Sequence, residues 1–231
     1  MKIKFLGTGG AFDYEFGNSS ALVEFNGLNI LIDCGNSVYR RLRETGLAEK
    51  IDYILITHFH DDHVGSLSSV VLHHKYFLNP PQKARILVPG DLFQQQIHDY
   101  INFSLTEPLN YLEFLPCDSI PGLTALDTFG MHVDNMQSWA YVFESKDEIL
   151  AYSGDLGDPN FIFEYLDSRP AKRKKVFHEI SFHQTDGVHS HYLDLNERVS
   201  NYELYGYHCD PREEPEDNMV PLVCRHPEFL G

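Results

Sequence analysis

The chain is short of positive charge, has no closely paired cysteines and contains no long apolar run. Its 18 lysines and arginines stand against 34 aspartates and glutamates, a formal charge of −16 with histidine neutral. Such a surface repels a polyanion unless a local basic patch overrides it, which argues against a large RNA or DNA partner and leaves small substrates open. Four cysteines, Cys34, Cys117, Cys209 and Cys224, are scattered with no Cys-x-x-Cys pair. That predicts reduced, mostly buried thiols in a cytoplasmic protein, with a metal-ligand role at Cys34 or Cys209 only the minor alternative. Met1–Gly7 carries too short an apolar run for a signal peptide, and no stretch is long enough to span a bilayer. The 231 residues are expected to form a single domain, residues 1–231, and a 42% hydrophobic content can build its core.

Histidine, by contrast, is concentrated. Thr57-His58-Phe59-His60-Asp61-Asp62-His63-Val64-Gly65 places three histidines and two aspartates within six residues. The apolar run Ile51–Ile56 before it reads as a buried strand, and Gly65–Leu72 after it as the start of a helix. The cluster therefore sits at the carboxyl end of a strand, where open α/β sheets place their sites. On extended backbone His58 and His60 point the same way, while Asp62 and His63 follow the turn and can aim at a second point nearby. Imidazole suits zinc, iron or manganese, and an added carboxylate suits a second cation.

The rest of the chain alternates strand and helix signals. Ile3–Leu6 opens as a strand and breaks into Gly7-Thr8-Gly9-Gly10, which has no following Lys-Ser/Thr and reads as a tight turn bringing backbone towards a metal pocket. Ala21–Phe25 and Leu28–Asp33 form a hairpin across Asn26-Gly27. Helices are expected over Leu67–Phe77, Asp91–Phe103 and Asp194–Tyr205, and after Gly35. His73 and His74 are expected as surface or core-edge residues. Strands are expected at Ala84–Val88, Tyr111–Leu115, Leu123–Phe129, Trp139–Glu144, Ile149–Ser153 and Val176–Ile180. The only basic run, Arg169–Lys175, reads as a solvated turn or a phosphate-binding patch. The acidic stretch Pro211–Asp217 reads as a surface loop, with Val220–Leu230 docked on the body or on a second subunit. Strands interrupted by helices, with a β-rich middle, fit two sheets sandwiched by helices. Downstream strand ends offer His132, Asp155 and His208 as further ligands.

The pattern resembles the metallo-β-lactamase fold, and within it the ribonuclease Z branch. Phe5-Leu6-Gly7-Thr8-Gly9, Asn18-Ser19-Ser20 and Leu31-Ile32-Asp33-Cys34-Gly35 are similar to that branch's opening, and Ile54–His63 to its main motif. His178-Glu179-Ile180-Ser181 and His189-Ser190-His191 resemble its two later segments. The resemblance implies an α/β chain folded as an αββα sandwich, two mixed sheets flanked by helices, holding two divalent metal ions, zinc or else manganese or iron. His58, His60 and His132 would take one metal, Asp62, His63 and His208 the other, and Asp155 would bridge them. Paired cations polarise a phosphoryl oxygen and lower the pKa of water. The implied catalytic residues are Asp62, which orients the attacking water, His189, which protonates the leaving oxygen, and Glu179, which orients His189. His178, His183 and His191 are left without a role.

Ribonuclease Z carries a long arm between the segments of His132 and Asp155; here those residues are 23 apart, room for one hairpin. The function expected is therefore a binuclear phosphodiesterase acting on a small nucleotide phosphodiester, a cyclic one among the candidates, in a homodimer. The alternatives are an RNA 3′ endonuclease, for which the basic run should face the pocket, and a lactone or thioester hydrolase of the same fold, against which the Glu179/His189 pair speaks. A redox or non-catalytic metal-binding role is the remaining one.

Overall fold

The computed structural model describes residues 1–170, 172–185 and 187–231. The first sheet contains six strands in the order β1 to β6: Lys2–Gly7, Ser20–Phe25, Leu28–Ile32, Tyr53–Leu55, Ala84–Val88 and Leu112–Pro116. The first three run antiparallel, and β3 to β6 run parallel. The second sheet has five strands in the order β11-β10-β9-β8-β7. They are β7 (Leu123–Asp127), β8 (Trp139–Glu144), β9 (Glu148–Tyr152), β10 (Arg173–Glu179) and β11 (Glu203–Tyr207). Here β9, β10 and β11 are parallel, while β7, β8 and β9 are antiparallel.

Side-chain alternation along the strands builds three apolar layers. Phe5, Val23, Phe25 and Ile30 from the first sheet meet Tyr141, Phe143, Tyr152 and Phe177 from the second, forming the core between the sheets. Each fully buried ring of this kind stabilises the fold by about 1.5–3 kcal/mol. The opposite faces look outward. Leu22, Leu31 and Ile54 pack under helices α1 (Val38–Thr45), α3 (Leu67–Tyr76) and α4 (Asp91–Asn102), while Ala140, Val142, Ala151 and Val176 pack under α5 (Phe161–Asp167) and α6 (Tyr192–Asn196). The result is the αββα sandwich.

The helix expected over Asp194–Tyr205 is a correction. Only Tyr192–Asn196 is helical, and Glu203–Tyr207 is the edge strand β11, paired with β10 from Lys175↔Glu203 to Glu179↔Tyr207. Its aromatic residues favour a pleated surface, and Gly206 penalises a helix by about 1 kcal/mol. His73 and His74 also differ from expectation, because both are buried. His74 is held by the carbonyls of Val70 and Ile51, and His73 faces the Tyr39 hydroxyl at 3.4 Å. Val220–Leu230 docks on the body: Leu222 bridges Gly206, Leu230 bridges Phe5, and Phe229 packs edge-on to Phe177. All four cysteines are free thiols, three of them buried. Among the described residues no helix is long and apolar enough to cross a membrane.

Candidate metal centre

The parallel parts of both sheets end on one edge of the sandwich, and the histidine cluster lies there. β4 is short, and Tyr141 anchors its exit by donating its hydroxyl to the Ile56 carbonyl (2.6 Å). The turn that follows, α2 (Asp61–Val64), is pinned to the end of β3. Cys34 N–H donates to His63 O (2.7 Å), and Ser66 N–H to Cys34 O (2.7 Å). Gly35 is required by this close approach, since a Cβ there would lie 1.9 Å from the Asp62 carbonyl oxygen. The expected backbone approach also occurs: His208 N–H donates to the Thr8 carbonyl in the glycine-rich turn (2.7 Å).

The structure brings all seven expected ligands into one cluster. His58, His60, His132 and Asp155 can offer one ligand atom each, all within 4.8 Å of one another, and so can Asp62, His63 and His208. His60 Nδ1 lies 3.1 Å from both His58 Nε2 and His132 Nε2. On the other side, Asp62 Oδ2 lies 3.3 Å from His63 Nε2 and 3.2 Å from His208 Nε2. Asp155 stands between the groups: Oδ1 is 3.3 Å from His63 Nε2, and Oδ2 is 3.4 Å from His208 and 3.8 Å from His132. Cys34 and Cys209 are absent from these groups among the described residues.

The rear contacts of the rings fit cations at the centre. His63 Nδ1–H donates to Asp33 Oδ2 (2.8 Å), and His132 Nδ1–H to the Val188 carbonyl (2.7 Å). Thr57 Oγ1 donates to Asp33 (2.9 Å), so it accepts from His58 Nδ1–H (3.0 Å). Each of these rings thus turns its other nitrogen, as a lone pair, to the centre. His63 Nε2 and Asp155 Oδ1 are buried with no hydrogen-bond partner, a costly state unless the pocket holds a cation. Charge points the same way. Burial and its neighbour His63 hold His58 well below the usual imidazole range, the neutral form a metal needs. Burial works against ionised Asp62 and Asp155, yet the surrounding imidazoles hold both well down. Burial also opposes charge on His63, but Asp155 and Asp33 outweigh it and push its pKa well up: the pocket is built for positive charge at Nε2.

The expected acid pair is also assembled here. His189 Nδ1 lies 3.2 Å from Glu179 Oε2, an ion-pair contact not aligned as a hydrogen bond, and 3.9 Å from Asp155 Oδ2. Glu179 is fully buried and is fixed through Oε1, which accepts from Ser190 N–H (2.7 Å) and Leu156 N–H (3.3 Å). Burial lowers the His189 pKa, but the Glu179 carboxylate overrides it and pushes it up to about 9. Sequence reasoning gave Asp33 no role. It directly follows β3 with a φ of 64°, a constrained backbone that turns its carboxylate under Thr57 and His63.

The site and fold agree with what comparison with known proteins finds. The family described as Anti-Pycsar protein Apyc1 matches residues 1–220. The chain belongs to that family. A member so described from Bacillus phage vB_BsuM-Goe3 is 34% identical, with the match covering 100% of this chain and 92% of the relative. Among solved structures, the short form of human tRNase Z superposes with a TM-score of 0.69 at 20% identity, covering 95% of this chain and 98% of that one. The metallo-β-lactamase fold protein YhfI of Bacillus subtilis superposes at 0.68 with 16% identity, covering 90% of this chain and 85% of that one. The fold of this Apyc1-family chain is the metallo-β-lactamase fold, and its clustered histidines and aspartates have the make-up of a binuclear divalent-metal site.

Proposed function

We propose that this chain is a metal-dependent phosphodiesterase that hydrolyses a small nucleotide phosphodiester, with a 3′,5′-cyclic nucleotide as the substrate that fits best. In this reading His58, His60 and His132 would hold one cation and Asp62, His63 and His208 the other, with Asp155 placed between the two groups. Zinc suits this imidazole-rich set, with manganese or iron as alternatives. When bound, the pair of cations supplies Lewis-acid polarisation of the phosphoryl oxygen and a lowered pKa for water. The chain's own residues do the rest. Asp62, held ionised, orients the attacking water and takes its proton. His189, protonated at neutral pH, gives a proton to the leaving oxygen. Glu179 positions that imidazole and sustains its charge.

The observation that carries this reading is the Glu179–His189 pair set against Asp155, because a poor alkoxide leaving group needs a proton donor beside the metal pair. Two further features favour a small substrate. The stretch between His132 and Asp155, 23 positions apart, has β8 and β9, paired as a hairpin, as its only strands, which leaves no arm to grip transfer RNA. The basic run, of which Ala171 lies outside the described residues, leads into the start of β10, at the far end of that strand from Glu179. Lys172 pairs with Glu144 and Arg173 with Glu203, so neither faces the pocket as the RNA endonuclease reading requires. The reading takes residues 1–231 as one domain, active as a homodimer in the cytoplasm, a compartment that suits its free thiols.

The test is hydrolysis of a phosphodiester panel by zinc- or manganese-loaded protein. The panel holds bis-p-nitrophenyl phosphate, 3′,5′-cyclic mono- and dinucleotides and a precursor transfer RNA, with His63→Ala as control. Cyclic nucleotide cleavage that vanishes in the variant is expected. Cleavage of the precursor RNA alone would replace this reading with the endonuclease one.

A further inference from the structure

Beside the metal centre lies a cavity that the mechanism above does not use. Its volume is about 470 Å³, and His189 and His208 form the wall it shares with the centre. Two phenylalanines from distant parts of the sequence also line it: Phe12, on the loop after β1, and Phe182, after β10. Phe12 is 90% exposed. A single exposed ring is ordinary on a protein surface. A second ring lining the same cavity is not ordinary. Phe182 is half-buried, and Tyr192 meets it edge-on at 6.0 Å and 69°. One ring is thus held by its neighbour and the other is free to adapt, the arrangement that receives a flat aromatic group.

The charge around the cavity narrows what that group can be. Asp13, Asp210 and Glu213 line it, with Arg212 as the only lysine or arginine among its described lining residues. Arg212 is already engaged. Its Nε and Nη2 meet the two Asp210 carboxylate oxygens at 2.8 and 2.6 Å, and its Nη1 meets Glu15 at 2.9 Å. His183 is likewise taken by Glu213 at 2.9 Å. Away from His189 and the metal ligands, three carboxylates against one satisfied guanidinium leave the outer rim net negative with no free cation, which repels a phosphate there.

We propose that Phe12 and Phe182 are specificity-determining residues that stack the uncharged aromatic base of the substrate in this cavity, whose acidic rim turns away a substrate bearing a second phosphate there. The proposal rests on the phosphodiesterase reading of the neighbouring centre. With the single phosphodiester on the metals, the base extends past His189 and His208 between the two rings. A dinucleotide or an RNA strand would instead bring its next phosphate against Asp13, Asp210 and Glu213.

The experiment compares two substrates with the same reacting ring: a 3′,5′-cyclic mononucleotide and the 3′,5′-cyclic phosphate of 1-O-methyl ribose, which has no base. The readout is the ratio of their kcat/KM values in metal-loaded wild-type protein, Phe12→Ala, Phe182→Ala and Phe182→Leu. Stacking on one aromatic side chain predicts that the ratio falls roughly tenfold or more in each variant, carried mainly by KM. Phe182→Leu keeps the apolar volume packed on Tyr192, so a collapsed ratio in that variant, with melting temperature retained, separates lost stacking from lost folding. Phe12→Trp should retain the ratio. An unchanged ratio in the alanine and leucine variants, with both substrates losing equally, would overturn the proposal by making the rings merely structural. If the wild type cleaves neither ring, the phosphodiesterase reading itself fails, an outcome distinct from an unchanged ratio. In a second arm, Glu213→Lys should narrow the wild-type preference for the cyclic mononucleotide over a cyclic dinucleotide by severalfold. A wild type that cleaves both equally would remove the acidic-rim argument.

Discussion

The two sheets contribute unlike walls to the metal centre. From the first come His58, His60, Asp62 and His63, contiguous in sequence; His58 and His63 are fully buried and braced from behind by Thr57 and Asp33. From the second come His132, Asp155, Glu179, His189 and His208, one or two from each strand end, and His189 is 24% exposed at the side chain. The dry, over-determined wall sets geometry, and the wetter wall holds the groups that must exchange protons with substrate. Asp155, Glu179 and His132 are as deeply buried as His58 and His63, so the wetness of the second wall is that of His189, and Asp155 is in contact with ligands of both walls. The sharpest way to break the contrast is to remove it. Asp155→Ala should release both metals and lower kcat/KM by about 10³-fold or more, read by metal content per chain and by hydrolysis of bis-p-nitrophenyl phosphate. Retention of two metals per chain with near-normal activity would mean that the walls bind independently.

A smaller loss is expected on the wet wall. His189→Ala should keep its metal and lose on the order of 10²-fold or more in kcat with an alkoxide leaving group, but much less with p-nitrophenolate, which leaves without a proton. The pH profile gives a second reading. A raised imidazole pKa keeps the proton through neutrality, so kcat should fall as pH rises through the folded value, about 9 without metal and lower once two cations sit nearby. Because the Glu179 carboxylate sustains the charge, Glu179→Gln should move that alkaline limb to lower pH. A limb that does not move would remove Glu179 from its positioning role.

Asp33→Asn tests the dry wall. Asp33 accepts three donors, Thr57 N–H, Thr57 Oγ–H and His63 Nδ1–H, at 2.8, 2.9 and 2.8 Å. An amide presents its own N–H₂ to one of them and cannot hold all three. Metal affinity should fall roughly 10- to 100-fold, with the His63-side ion lost first on titration with chelator. Equal loss of both ions would show that the bracing serves the whole centre.

The same contrast explains what could be read from sequence. The stretch 57–65 was legible because its ligands are contiguous and stand behind an apolar strand, so local geometry alone aims them. His132, Asp155 and His208 each look like an ordinary strand-end residue, and only the family resemblance made them a set. Asp33 went unread because its meaning is that β3 ends beside β4, a fact of sheet order and not of local pattern. Phe12 and Phe182 were silent for the same reason, since only the closing of both sheets on one edge brings them to one cavity. The sequence pattern runs a helix as far as Tyr205 because the polar stretch before Glu203 has no strong turn signal, whereas pairing with β10 decides the conformation of Glu203–Tyr207.

The smallest effect is predicted where the two ends of one strand differ. β10 begins in the basic run and ends at Glu179, so at about 3.3 Å per residue the strand places Arg173 roughly 20 Å from the acid pair. At that distance exposed charges are screened at physiological salt. Lys172 and Arg173 are moreover matched to Glu144 and Glu203, surface pairs that contribute on the order of 1 kcal/mol or less. The double substitution Lys172→Gln and Arg173→Gln should leave kcat/KM on a cyclic nucleotide within about twofold and its salt dependence unaltered. Binding of a precursor transfer RNA should be equally weak before and after the change. A steep loss of RNA binding in the variant would reverse the order of the two readings, since the far end of β10 would then be recruiting a polyanion to the edge where the metals sit.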